Sequence, residues 1–364
     1  SLDCFRNHKE LEREETLTPA DFHCVFHAVR EQLERVVVGQ SQTVQHLLTA
    51  LFAGGHVMLT GLPGLGRTLL AKSLADALGV RFSRLQFTPD LLPTDIVGAE
   101  LLEADTAAGT RQFRFFKGPV FANLVLVDEV NRSPARTQAA LLEVMQERQV
   151  TAGGQTYFLP QPFQLIATEN SLDTEGTWPM GEAQLDRFMM SIEQQYPDAT
   201  AERRVILQTT GQHQATVEQV TTPDEVLAMQ ALAREVPVVP SVRDFALAIV
   251  RASRPREEDG ADSINDVVRL GASPRAAQSL LLAAKVTALS KGRHHVTKAD
   301  IIDVVRPVML HRVLIDVRAA ADGIRREEVL DRLVEEAQKR LLPAGNRWTW
   351  EVLKRPTAAI DDSA

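Results

Sequence analysis

Cysteine is nearly absent from this 364-residue chain, which has only Cys4 and Cys24. Two thiols cannot build a disulfide framework, and these two do not stand at metal-ligand spacing, so a reducing compartment is expected. No apolar run approaches the ~18 residues that a membrane-spanning helix needs. The opening Ser1-Leu2-Asp3-Cys4-Phe5-Arg6 is charged and does not read as a secretory signal, so a cytoplasmic location is expected. A basic excess is also missing. Lys and Arg number 40 against 48 Asp and Glu, for a formal net charge of -8. No global field therefore gathers DNA, RNA or an anionic membrane.

What remains is an ordinary globular composition, 44% hydrophobic and 24% charged, in a chain long enough for two domains. One stretch organises it. Gly61-Leu62-Pro63-Gly64-Leu65-Gly66-Arg67-Thr68-Leu69 follows the apolar run 56–60 and opens a segment with helical apolar spacing. Strand, glycine-rich turn and helix together make the context of a phosphate-binding loop. Gly61, Gly64 and Gly66 let backbone N–H groups close on phosphate oxygens, and the helix points its positive end at them. The pattern G-x-x-x-x-G-K-[ST] calls for lysine where this chain has Arg67.

Helix and strand signals alternate on both sides of this loop. A helix starts at Thr18-Pro19, with Thr18 as cap, and Phe22, Val25, Phe26, Val29 and Leu33 form its apolar face. Further helices are expected over 41–53 and 67–78, and from Ser133-Pro134 to about Glu147. Strands are expected over 56–60, 80–87, 124–128, 163–168 and 189–195. Two hairpins read at 99–103 with 111–116 and at 149–151 with 156–158. Alternation of this kind predicts a mostly parallel sheet covered on both faces. After Asp198 the strand signals stop, and 200–340 reads as helices broken at Pro223, Pro237, Pro240 and Pro274, with a surface loop over 254–262. The expected division is a flexible lead over 1–16, an α/β domain over 17–197, a helical domain over 198–342 and a tail over 343–364 that carries Trp348 and Trp350.

A phosphate loop needs a metal ligand and a means of activating water. The apolar run Leu124–Val127 delivers Asp128 and Glu129 to a strand's C-terminal end, where parallel sheets bind ligands. Asp128 would hold Mg²⁺ together with the Thr68 hydroxyl, and Glu129 would polarise the attacking water. The bland alternative is a pair of solvated acids. Arg275 follows Ser273-Pro274, a cap and a first helical residue, and so sits where the helix dipole disfavours a cation, which suggests a nearby anion. The first hairpin mixes Arg111, Arg114 and Lys117 with Phe113, Phe115 and Phe116, which nucleic acid could use, though a strand with one buried face is simpler. His23, Cys24 and His27 share a helical segment, but no further zinc ligand is in view.

Several blocks taken together resemble the AAA+ ATPases, and more narrowly the MoxR family. They include Val38-Gly39-Gln40, Gln86-Phe87-Thr88-Pro89, Gly118-Pro119-Val120-Phe121, Asp128-Glu129-Val130-Asn131-Arg132, Leu185-Asp186-Arg187-Phe188 and Gly271-Ala272-Ser273-Pro274-Arg275. The resemblance covers roughly 36–335. It implies an αβα nucleotide-binding domain followed by an all-α lid, with ATP and Mg²⁺ as ligands. Gly39, Gly61, Pro63, Gly64, Leu65, Gly66, Arg67, Thr68, Leu69 and Asp128 would hold the nucleotide, and Thr68 and Asp128 the metal. Asn170 corresponds to sensor 1, Arg187 to the arginine finger that reaches a neighbouring subunit, and Arg275 to the sensor 2 arginine placed on the nucleotide by the lid. A homo-hexameric ring, chaperone-like remodelling and a partner with a von Willebrand factor A domain are implied as well.

Two residues depart from the pattern. Arg67 keeps the charge of the usual lysine but not its compact geometry, and Glu169 replaces a usual Gln before Asn170. Loss of one preorganised donor costs roughly 10² to 10³ in rate elsewhere, so a nucleotide-gated scaffold with impaired hydrolysis stands beside the ATPase reading. A nucleic-acid-stimulated motor is a third reading, disfavoured by the acidic balance.

Overall fold

The computed structural model describes residues 17–105, 110–170, 176–211, 215–257 and 259–341. The lead over 1–16, the tail over 343–364 and the tip of the first hairpin lie outside them. Five strands form the central sheet: β1 (Val57–Gly61), β2 (Phe82–Gln86), β5 (Leu124–Asp128), β8 (Gln164–Thr168) and β9 (Met190–Gln194). Their order is β2-β5-β8-β1-β9 and every pairing is parallel, as the alternation requires.

Side chains alternate across this sheet with period two, and each face has its own partner. Val57, Leu59, Leu124, Leu126, Ile166 and Ile192 join one apolar cluster; Met58, Val125, Val127, Leu165 and Ala167 join the other. The second cluster is closed by α5 (Ala135–Glu147) through Leu141, Leu142, Val144 and Met145. The first is covered by α1 (Pro19–Val36), α2 (Ser41–Phe52) and α3 (Arg67–Leu78), and it continues without a break into the helices beyond Asp198. α1 begins with the Thr18 cap, whose hydroxyl accepts from Asp21 N at 3.3 Å while Asp21 accepts from Thr18 N. His23 Nδ1 and His27 Nε2 both donate to the Ser290 carbonyl, which explains their shared face without a metal.

The later helices are α8 (Pro223–Glu235), α9 (Pro240–Ala252), α10 (Pro274–Ser290), α11 (Lys298–Met309) and α13 (Arg326–Leu341), counted in chain order. This region is not wholly helical. Val268–Leu270 and Leu314–Ile315 pair as a short antiparallel ribbon, β10 with β11, too brief to leave a periodic signal in sequence. Both hairpins form as expected: β3 (Gly98–Asp105) with β4 (Thr110–Lys117), and β6 (Gln149–Ala152) with β7 (Gln155–Phe158). Gly153 and Gly154 turn the second one at φ of 56° and 76°. Phe115 stacks on Tyr157 with ring centroids 4.5 Å apart, joining the hairpins.

Candidate functional site

The glycine loop leaves β1 at its C-terminal end and enters α3. Gly66 caps that helix in the left-handed conformation at φ 73°, and Gly64 stands at φ 83°. A Cβ on either would meet nothing within 4 Å, so the loop borders open space rather than packed protein. Gly61 is different, because a Cβ there would stand 2.4 Å from the Gln194 carbonyl. Gly39 likewise admits Pro197 and Ala201, which a Cβ would meet at 2.9 and 2.7 Å.

Arg67 does not project freely from this loop. Its Nε donates to Gln194 Oε1 (2.8 Å), Nη1 to the Glu169 carbonyl (3.2 Å) and Nη2 to the Leu62 carbonyl (3.3 Å). Gln194 Nε2 in turn donates to Gln40 Oε1, and Gln40 Nε2 donates to the Leu65 carbonyl. The guanidinium fork thus braces the loop against the ends of β8 and β9, a function the single ammonium of lysine cannot match. Burial disfavours its charge, and Asp128 and Glu129 favour it. The Glu169 side chain lines a separate cavity with Thr60, Glu193 and Arg326; burial raises its pKa and Arg326 opposes the rise.

Asp128 and Glu129 stand at the C-terminal end of β5, on the same edge of the sheet as the loop. Thr168 on β8 sets both, since its hydroxyl donates to Asp128 Oδ1 (3.3 Å) and accepts from Glu129 N (2.9 Å). Asp128 Oδ2 is paired with Arg84 Nε at 2.6 Å. Glu129 occupies a left-handed backbone position at φ 57°, a conformation costly for a residue with a side chain, and its Oε2 accepts from Gln86 (2.9 Å) and Arg132 (3.2 Å). One carboxylate and one hydroxyl, Asp128 and Thr68, would supply oxygen donors of the kind that suits Mg²⁺, and the open space at Gly64 and Gly66 suits phosphate. Asn170 follows β8 at this edge.

Arg187 and Arg275 are brought together, but not here. They line one concavity with Gly54, Gly55 and His56, which precede β1, whereas the loop follows it. A five-residue strand separates the two edges by roughly 16 Å. Within one chain, therefore, Arg275 lies apart from the glycine loop. Asp186 links the pair: Ser273 Oγ donates to Asp186 Oδ2 (2.8 Å) while capping Arg275 N, and Arg312 Nε donates to Asp186 Oδ1 (2.8 Å). Arg312 is 5% exposed and also donates to the Asp186, Phe188 and Met189 carbonyls, clamping the segment that bears Arg187.

Sequence reasoning missed Gln40, Arg84, Gln86, Thr168, Gln194 and Arg312 as parts of the site. Arg84, Gln86, Thr168 and Gln194 act across strands that neighbour only through the sheet order, and Arg312 reaches 186–189 from the turn after α11, so none left a local signal of its contacts. Gln40 and Gln86 do stand in blocks already singled out, Val38-Gly39-Gln40 and Gln86-Phe87-Thr88-Pro89.

Comparison with known proteins gives the family and the fold. Residues 56–190 match the model of the ATPase family associated with various cellular activities, and residues 261–333 that of the AAA lid domain. The chain is 40% identical over 316 residues to Chaperone MoxR1 of Mycobacterium tuberculosis, a match spanning 87% of this chain and 82% of that protein. It is 30% identical to Protein MoxR of Paracoccus denitrificans, over 87% of this chain and 96% of that one. The crystal structure of a candidate ATPase from Cytophaga hutchinsonii superposes with a TM-score of 0.80 at 36% identity, covering 87% of this chain and 96% of its own. The chain belongs to the MoxR family of AAA+ ATPases.

Proposed function

We propose that this protein binds Mg-ATP at the Gly61–Thr68 loop and hydrolyses it between adjoining copies of the chain. One observation carries the reading: the loop and its acids lie at one edge of the sheet, and Arg187 with Arg275 at the other. One chain cannot close both groups on a single nucleotide, whereas two copies set edge to edge can. Repetition of that contact gives a ring, for which we propose six subunits. The name of the mycobacterial relative supports chaperone-like remodelling, and we extend it to a partner with a von Willebrand factor A domain in the cytoplasm. Residues 17–197 would serve as the nucleotide-binding domain and 198–342 as the lid.

In this scheme the loop amides and Arg67 bind the phosphates, and Thr68 and Asp128 hold the metal. Mg²⁺ supplies charge neutralisation on the phosphate oxygens. Glu129 orients the attacking water and accepts its proton, and Asn170 holds that water in line. The neighbour's Arg187 and Arg275 neutralise charge that develops as the terminal phosphate leaves. For Asp128 to serve, Arg84 must give up its oxygen, and with 49% of its side chain exposed it is free to swing outward. Steady-state turnover tests the roles: Glu129→Gln and Arg187→Ala should each lose at least about 100-fold. Turnover that survives both changes would refute them.

The engagement of Arg67 favours a second reading, a nucleotide-gated scaffold whose fork is held away from catalysis. Restoring lysine separates the two. An adapted enzyme gains nothing from Arg67→Lys and loses the brace, whereas an impaired one should gain tenfold or more.

A further inference from the structure

The concavity that holds Arg187 and Arg275 contains more cations than those two. Arg148, Arg234 and Arg312 share its lining, and its volume is about 260 Å³. Arg312 is matched by Asp186. Among the described residues, none of the other four arginines makes an ion pair. Arg148 and Arg187 are half-buried and Arg234 and Arg275 exposed; like charges gathered in one recess repel one another, and an anion arriving there relieves that repulsion.

Arg148 and Arg234 come from unrelated elements and still converge. Arg148 caps α5 in the left-handed conformation at φ 53°, where glycine is the usual residue, and its Nη2 donates to the Gly54 carbonyl at 3.1 Å. Arg234 lies in the last turn of α8. A Cβ on Gly54 would stand 3.7 Å from Arg234 Nη2 and 3.9 Å from Arg148 Nη2, so the two heads meet over a residue without a side chain. Lys285 Nζ adds a further positive charge beside them, bonded to the Arg234 carbonyl at 2.6 Å. Burial, followed by the charge of Arg234, holds both Arg148 and Lys285 below their usual pKa.

The recess also says what it cannot hold. Sites for whole small molecules span roughly 300–1,000 Å³ and offer an apolar or aromatic slot. This one is smaller, and among the described residues its only ring is His56, whose Nε2 donates to the Met145 carbonyl and whose Nδ1 accepts from Leu165 N. There is no platform for a base. Planar guanidinium forks match phosphate oxygens in pairs, so the fitting ligand is a polyphosphate tail whose nucleoside is held elsewhere.

We propose that Arg148 and Arg234 are further phosphate ligands which, with Arg187 and Arg275, receive the polyphosphate tail of a nucleotide seated on the loop of a second copy of this chain. This rests on hydrolysis between copies, as set out above. A free polyphosphate would use the same chemistry, and the test separates the two.

Four variant preparations are compared with the wild type: Arg148→Gln with Arg234→Gln, Arg148→Lys with Arg234→Lys, Glu129→Gln, and Arg187→Ala. The double variant should lose at least about tenfold in turnover. Its affinity for a fluorescent ATP analogue, measured on the dilute subunit, should stay within about twofold, because its own loop is untouched. Mixed with Glu129→Gln, it should regain activity, up to about a quarter of the wild-type rate, since that share of random interfaces joins an intact Glu129 to intact arginines. Arg148→Lys with Arg234→Lys, which keeps the charge, should retain more turnover than the glutamine pair and so exclude misfolding as the cause. Wild-type turnover by the glutamine pair, or tenfold weaker binding to its own loop, would overturn the proposal. If its mixture stays silent while Arg187→Ala mixed with Glu129→Gln recovers, this proposal is wrong and hydrolysis between copies stands. If both mixtures stay silent, the underlying reading fails as well. Tripolyphosphate binding to the dilute wild-type subunit, abolished in the double variant without recovery on mixing, would assign the site to free polyphosphate and overturn the proposal.

Discussion

Thr168 shows how much of this site depends on a residue with no chemical role of its own. Its hydroxyl gives one hydrogen to Asp128 and takes another from Glu129 N, and it is 1% exposed. Valine in its place keeps the volume and leaves the Glu129 amide without its partner. Thr168→Val should therefore lower the unfolding free energy by about 1–3 kcal/mol and reduce turnover, as checked by urea denaturation beside an ATPase assay. A variant as stable and as fast as the parent would show that the acids are set by something else. Thr168 was invisible in sequence because β5 and β8 are neighbours only through the strand order, and the same holds for Arg84 on β2. The glycine loop and the acid pair were legible, since each is a local pattern whose chemistry follows from spacing along one turn or one strand end.

The segment 186–189, with α10 beside it, is the element that turns scattered arginines into a surface. Arg312 is buried with its fork on one carboxylate and several carbonyls; burial lowers its pKa and Asp186 opposes the fall. Removing such a group strands Asp186 and unpairs the carbonyls. Arg312→Ala should cost about 3–5 kcal/mol in urea denaturation, a loss near zero being the result that contradicts the clamp. At this scale the sequence reading succeeded with Ser273, whose hydroxyl caps α10 by accepting from Arg275 N. Where Arg275 lies relative to the loop could not be read, because helix packing, unlike capping, depends on contacts far apart in sequence. The continuous core joining α1–α3 to the later helices fixes which edge of the sheet those helices reach.

Across the whole molecule, buried neutral histidines tie stability to pH. His56 is 7% exposed, and burial, with the Arg148 charge, lowers its pKa to about 4 against the ordinary 6.5. The unfolded chain binds this proton first, so the stabilisation is complete above pH 6.5 and is lost as pH falls toward 4, by about 3 kcal/mol for this residue. His311, pushed down by burial, acts in the same direction. Urea titrations at pH 7.5 and pH 4.5 should show that loss, and equal stability at both would contradict it. Alternating sheet and helix signals made the architecture readable, but not which edges of the molecule would face one another, because that lies in the relation between copies. The central claim is that hydrolysis needs two copies of the chain, and a mixture tests it most directly. Glu129→Gln and Arg187→Ala are each expected to be inactive alone, and an equal mixture should recover up to about a quarter of the wild-type turnover. A mixture that stays at the level of its two parents would contradict the account.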